Sequence, residues 1–337
     1  NRKRTHSKDK SSLTLSPKTS AMKSINNLKL IHNLLIPKSV SNKQKLNLKQ
    51  FENEVSKLNF CPIGSDANIP GNYDNYLSTT LTHIVQMRKI NFDNALGSPL
   101  IYENFPEKAL EKISSSTKKI LVLDLDETLI HADFNEEFAN DENIKYDAVI
   151  SFYSEEKPSN DLKDDDDQST ISDDDSKDYS YERKLNTVGI FLRPGVKLFL
   201  EEVSKYFEVG IFTASVPEYA DAVINYLDPD NKFIKFRLYR NNCINVGDLL
   251  RVKNLKILKN IPLNKIILVD NNMYSFTPQL NNGILINSFF NDKNDNELSN
   301  VLSYLINYII PCDDVRKVNE EFFGFQKIVD DMISNVF

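Results

Sequence analysis

The sequence predicts an α/β protein built on a doubly wound, mostly parallel sheet with helices on both faces. Three observations carry this. Short apolar runs recur at residues 120–123, 209–212 and 266–269, helical patterns stand between them at 196–206 and 218–227, and each run stops abruptly at polar residues. Runs without polar alternation suit strands buried on both faces, and their alternation with helices is the pattern of a parallel sheet. Ligands of such sheets bind beyond the carboxyl ends of the strands. The clusters that end the three runs, D-L-D from Asp124, T-A-S from Thr213 and D-N-N from Asp270, fall at those ends.

Taken in order, residues 1–24 are Ser, Thr and Lys with few large apolar groups, and read as a disordered basic arm. Apolar residues at mixed helical spacing, among them Leu28, Leu30, Ile31, Leu34 and Leu35, predict a short amphipathic helix or docking segment within 25–58. Pro62, Gly64, Pro70 and Gly71 mark 61–75 as a loop. Helices are expected at 76–90 and 107–113, so residues 25–117 form a partly helical extension ahead of the main α/β body at 118–315. An acidic insertion at about 155–182, with Asp164–Asp167 and Asp173–Asp175, has no core to bury and predicts a disordered loop. The amphipathic pattern at 318–336 predicts a C-terminal helix packed on the body, filling 316–337. No large cap domain is expected.

A chain of 337 residues buries a sizeable core, while 40% hydrophobic content and a mean hydropathy of -0.41 leave part of it unpacked. Residues 1–50 carry 12 Lys and Arg against the single acid Asp9, so a net +11 stands ahead of a remainder at -18. A basic arm on an acidic body suits contact with nucleic acid, anionic membranes or import receptors, and equally a solvated tail. Cys61, Cys243 and Cys312 are odd in number and far apart, which supports neither a zinc site nor a disulfide framework and points to a reducing compartment. No run of 18 apolar residues exists, so no membrane span is expected. The start lacks Met and an apolar core, and no secretory signal is expected.

Asp124 and Asp126 stand two apart directly after a strand. Paired carboxylates divide labour between nucleophile and general acid. A carboxylate accepts a phosphoryl group when a cation neutralises the crowded charge, and Mg2+ takes hard oxygen ligands of this kind. The same residues suit a cap on the turn after the strand, and the pair alone favours that plainer role.

The wider pattern resembles the haloacid-dehalogenase superfamily, in the version found in phosphatases of the RNA polymerase II C-terminal domain and the related dullard-type enzymes. D-L-D-E-T-L at 124–129 is followed in order by F-L-R-P-G-V-K-L-F-L (191–200), F-T-A-S (212–215), Y-A-D-A-V (219–223), L-D-P (227–229), R-L-Y-R-N-N-C (237–243), V-K-N-L (252–255), I-I-L-V-D-N-N (266–272) and N-G-I-L-I (282–286). The likeness spans about 118–310 apart from the insertion. It implies Asp124 as a nucleophile that becomes phosphoaspartate, and Asp126 as the acid that protonates the leaving serine oxygen and then the base that activates water. It implies Thr213 and Lys253 as phosphate-binding groups. Asp124, the carbonyl of Asp126 and Asn271 are the implied Mg2+ ligands, with Asp270 beside them.

The resemblance also implies a phosphoserine or phosphothreonine protein as substrate, Ser-Pro repeats among the options, and a nuclear or cytoplasmic setting. It implies no direct nucleic-acid binding by the catalytic domain. Phe134 and Val216 match positions of an apolar substrate pocket, with Val149 and Ile150 as further members, and the same residues suit an ordinary core. His131 is expected to be structural, and Arg193-Pro194-Gly195 to set a turn before a helix. Two departures stand out: Asn254 where the family usually has Asp, and Asn272-Met273 where it usually has Ser-Pro. The alternative reading is a non-enzymatic peptide-binding subunit like the mitochondrial import relatives, but those typically lose the paired aspartates that this chain keeps. A small-metabolite phosphatase would need a cap domain.

Overall fold

The computed structural model describes residues 73–102, 105–134, 144–156, 182–247 and 250–336. The basic arm, the apolar-spaced segment 25–58 and residues 157–181 of the acidic insertion lie outside the described residues.

Five strands make the central sheet: β1 (Lys119–Leu123), β5 (Phe207–Phe212), β6 (Ile234–Leu238), β9 (Ile266–Asp270) and β10 (Gly283–Leu285). They are all parallel, in the order β10-β9-β1-β5-β6, so the chain reverses its direction of travel across the sheet beside β1. That is the switch point where α/β sheets bind ligands. The predicted parallel sheet is therefore the one present.

Each central strand is apolar on both faces because each face has its own core. Ile120 and Val122 of β1, with Ile266 and Leu268 of β9, join one cluster. Leu121 and Leu123, with Ile267 and Val269, join the other. The first face is covered by helices α1 (Tyr73–Met87) and α2 (Glu107–Ser114), through Leu81, Ile84, Met87, Leu110 and Ile113. The second is covered by α3 (Val196–Tyr206), α4 (Pro217–Leu227) and α5 (Glu297–Tyr304). Full burial of one such aliphatic side chain contributes about 1.5–3 kcal/mol, so these two layers dominate the stability. Gly210 of β5 has a packing reason to be glycine. A Cβ there would lie 2.1 Å from the ring of Phe236 on β6.

Two features depart from the sequence expectation. Strands β2 (Ile130–Asp133), β3 (Ala148–Glu156) and β4 (Glu182–Leu192) form a three-stranded antiparallel sheet, order β2-β4-β3, beside the central one. The acidic insertion is thus carried on the β3–β4 hairpin. Its inner face, with Ile150, Val188 and Ile190, packs into the second core. At the C-terminus the single expected helix is two, α6 (Val315–Phe322) and α7 (Phe325–Val336). Gly324 at φ +63 separates them, a left-handed conformation that glycine adopts without steric cost. A short hairpin, β7 (Ile244–Val246) and β8 (Leu250–Val252), leads from β6 to the loop bearing Lys253. No helix among the described residues is long and apolar enough to cross a membrane.

Candidate active site

The polar ends of β1, β5, β8 and β9 converge on one cleft of about 400 Å³, whose walls include Asp124, Asp126, Thr213, Lys253, Asp270 and Asn271. Asp124 leaves β1 with its backbone N–H still donating to the Val269 carbonyl of β9 at 2.9 Å. Its carboxylate is held from both sides. Lys253 Nζ donates to Oδ1 at 2.6 Å, and Thr128 Oγ1 donates to Oδ2 at 3.1 Å. Lys253, only 1% exposed, donates its other short bond to Asp270 Oδ2 at 2.6 Å. Burial alone would push its ammonium down, but the carboxylates of Asp124 and Asp270 outweigh that and raise it. Lys253 is therefore a fixed positive charge.

Asp126 is aimed by two hydroxyl groups. Ser215 Oγ donates to its Oδ2 at 2.7 Å and the Tyr219 phenol to its Oδ1 at 2.5 Å. Burial raises the Asp126 carboxyl to about 6, against those two bonds, which favour the carboxylate, while the charge of Asp124 adds to the rise. An acid titrating near 6 exchanges its proton easily around neutrality, whereas an ordinary aspartate does not. Tyr219 itself is held well above the usual phenol range by burial and by Asp126, so it remains a donor. Thr213 Oγ1 accepts from the Ser215 N–H at 3.0 Å, which ties its hydroxyl into the same turn.

Magnesium usually keeps several waters and takes one or two carboxylates along with substrate phosphate. The donor set suits that mode. Asp124 Oδ2 and Asn271 Oδ1 both lie within reach of Thr128 Oγ1, at 3.1 and 3.4 Å, so two hard oxygens converge. Asn271 is turned by its amide donating to Ser288 Oγ at 2.9 Å. Asp124 and Asp270 face a single ammonium, which leaves an excess of negative charge for a cation to offset. Among the described residues no group of three or more His, Cys, Asp or Glu side chains is arranged to hold a metal ion.

Several residues around the cleft make contacts that the sequence did not assign to them. Ser215 and Tyr219 stand inside matched motifs, yet their aim at Asp126 needs the fold. Arg193 does much more than open a turn. Its fully buried guanidinium donates to both oxygens of Asp295 at 2.8 and 2.7 Å, to the Thr128 carbonyl at 3.0 Å and to the Asn287 carbonyl at 2.7 Å. It thereby pins the loop after Asp126 to the loop after β10. Asn272 caps the turn that follows β9 by accepting from the Tyr274 N–H at 3.0 Å, which stiffens the loop where the family proline is missing. Asn254 touches Asp93 and Gln279 and has no bond to Lys253.

Of the apolar residues, Phe134 lines the cleft, is 58% exposed, and lies 5.2 Å from the Tyr219 ring. Val216 packs against the second core, and Ile150 is buried in it, while Val149 is exposed on the outer face of β3. His131 stacks beside Phe191 and bonds Glu127 at 3.2 Å, a packing role. Burial pushes the Cys243 thiol up to about 12, which leaves it inert as a nucleophile.

Comparison with known proteins gives the same direction. Residues 119–316 match the model of the NLI interacting factor-like phosphatases. The chain is 42% identical over 138 residues to CTD small phosphatase-like protein 2 of Dictyostelium discoideum, covering 40% of this chain and 24% of that protein. It is 36% identical over 198 residues to phosphatase PSR1 of Saccharomyces cerevisiae, covering 57% and 36%. It is 29% identical over 240 residues to CTD nuclear envelope phosphatase 1B of Danio rerio, covering 70% and 81%. The chain spans well under half the length of the first two of these relatives. A solved structure of Fcp1, an essential RNA polymerase II CTD phosphatase, superposes with a TM-score of 0.39 at 23% identity, over 61% of this chain and 53% of that one.

Proposed function

The chain belongs to the NLI interacting factor-like phosphatase family, and from that premise we propose that it is a Mg2+-dependent phosphatase of phosphoserine or phosphothreonine in proteins. The observation that carries this reading is the division of labour across one cleft: Asp124 is gripped by Lys253 and Thr128, while Asp126 is aimed by Ser215 and Tyr219 and titrates near 6.

In the first step an Asp124 oxygen attacks phosphorus, and the bond from phosphorus to the seryl oxygen breaks. The proton on Asp126 passes to that oxygen, so the leaving group departs neutral. In the second step the Asp126 carboxylate takes a proton from water, whose oxygen attacks phosphorus and releases Asp124 and inorganic phosphate. Lys253 neutralises charge on the phosphoryl oxygens throughout. Asp124, the Asp126 carbonyl and Asn271 would hold Mg2+, which supplies further positive charge at the transferring group. The absence of a separate cap domain among the described residues, and exposed Phe134 at the rim, support a phosphorylated segment of a protein as substrate. The nuclear envelope relative supports a nuclear setting.

The test is phosphate release from phosphoserine peptides, with and without a following proline, in Mg2+ and in chelator. Metal-dependent turnover is expected. Its absence from folded protein would sink the enzyme reading, and equal rates on both peptides would argue against a Ser-Pro specialist.

A pH profile probes the acid. Because Asp126 must carry a proton to act in the first step, kcat/KM is expected to fall as pH rises through about 6. The Tyr219 bond favours the Asp126 carboxylate, so Tyr219→Phe should raise the Asp126 pKa. The alkaline limb then moves to higher pH by roughly one unit, the worth of one hydrogen bond to a charged group. An unmoved limb would count against Asp126 as the acid.

A further inference from the structure

The family match starts at residue 119, yet the described chain starts at residue 73, and the segment between meets the two loops that carry the site. Asp93 accepts from Asn254 Nδ2 at 3.1 Å and pairs with Lys256, so both residues reach the same carboxylate from the Lys253 loop. Asn254 Oδ1 in turn accepts from Gln279 Nε2 at 2.8 Å, and Gln279 Oε1 accepts from the Leu255 N–H at 2.9 Å. On α1, His83 Nδ1 bonds the buried Tyr274 hydroxyl at 2.7 Å. From Tyr274 a line of contacts runs inward: its N–H donates to Asn272 Oδ1 at 3.0 Å, the Asn272 N–H to Asp270 Oδ1 at 2.8 Å, and Lys253 Nζ to both Asp270 and Asp124 at 2.6 Å. A third tie, Asn242 Nδ2 to the Ile101 carbonyl at 2.6 Å, holds the turn after β6. Underneath, Ile84, Met87 and Phe92 share one core with Val252, Leu255 and Met273.

We infer that residues 73–102 are a working brace of the active site, in which Asp93 positions the Lys253 loop through Asn254 and His83 positions the Asp270-Asn271 loop through Tyr274. This accounts for the departure at residue 254. The family's Asp has no hydrogen to donate to Asp93 and would set two carboxylates against each other. Asn254 accepts from Gln279 with its oxygen and donates to Asp93 with its nitrogen, so the amide is the side chain that satisfies both neighbours.

The inference rests on the proposed phosphatase reading, since it needs Lys253 to act on phosphate. The experiment is a two-residue cycle in the full chain: Asn254→Asp, Asp93→Asn and the double variant, each assayed for kcat and KM with an aryl phosphate and for thermal unfolding. Asn254→Asp should lower kcat about ten-fold, as a sub-ångström displacement of a positioned group does, with KM within about two-fold. The double variant exchanges donor and acceptor. The amide introduced at position 93 then donates to the carboxylate introduced at position 254. In it kcat should return to within about three-fold of the unmodified protein, and the unfolding temperature should recover in parallel. Full activity in Asn254→Asp, or no rescue by Asp93→Asn, would overturn the brace while leaving the phosphatase reading intact. No turnover by the unmodified protein would count against the phosphatase reading and this inference together.

Discussion

Asp124→Asn is expected to abolish turnover, by at least about 10⁴-fold, in a protein that folds as well as the original. Chemistry and stability part company here because of how the residue is held. In the proposed mechanism Asp124 is the nucleophile that forms the bond to phosphorus, and a neutral amide would do so very poorly. As a structural group, its oxygens only receive bonds from Lys253 and Thr128. An asparagine can keep its oxygen on Lys253 and turn its NH₂ toward the Thr128 hydroxyl, which is able to accept. The charge balance also favours the variant. Two buried carboxylates face the single ammonium of Lys253, and removing one charge leaves a matched pair with Asp270. Circular dichroism and an unfolding midpoint no lower than the original should therefore accompany the loss of activity. A variant that keeps even a hundredth of the metal-dependent rate would exclude Asp124 as the nucleophile.

The parts of this fold legible in the sequence were those whose physics is local. β1, β5 and β9 are covered on both faces, so their apolar runs are unbroken, and the groups that end them mark the cleft without any knowledge of packing. β3 and β4 lacked that signal. Val149 and Tyr153 on the outer face of β3 are 64% and 58% exposed, so apolar residues occupy both faces and no two-residue alternation emerges. The break between α6 and α7 was hidden by Phe322, Phe323 and Phe325, which continue a helical apolar pattern across Gly324. In the site, Asp124, Thr213 and Asp270 each stand at the end of a predicted strand, whereas Lys253 was placed only by the family resemblance. The groups that aim them could not be placed in either way. The tie from Arg193 to Asp295 spans 102 residues, and that from His83 to Tyr274 spans 191. Asn254 stood out only as a departure from the family's usual Asp, and its partner Asp93 lies 161 residues away in the chain.

Asp126→Asn should divide substrates by their leaving groups. A serine alkoxide is a poor leaving group and needs a proton, so release from a phosphoserine peptide should fall by roughly 10²–10⁴-fold, the usual worth of a general acid. An aryl phosphate expels a stabilised phenolate, and its first step should slow far less. The second step differs, because the proposed base that draws a proton from water is gone for either substrate. With the aryl phosphate the variant is therefore expected to release close to one equivalent of phenol per enzyme in a burst, then turn over slowly while phosphate stays on Asp124. The neighbourhood tolerates the change, since an asparagine in this place can still accept from Tyr219 and meet the Ser215 hydroxyl with its NH₂. Rapid-quench measurement of the burst, with the same assay on Asp124→Asn as the blank, separates the two roles. A uniform loss on both substrates with no burst would mean that Asp126 only shapes the loop, and that the proton reaches the leaving group by another route.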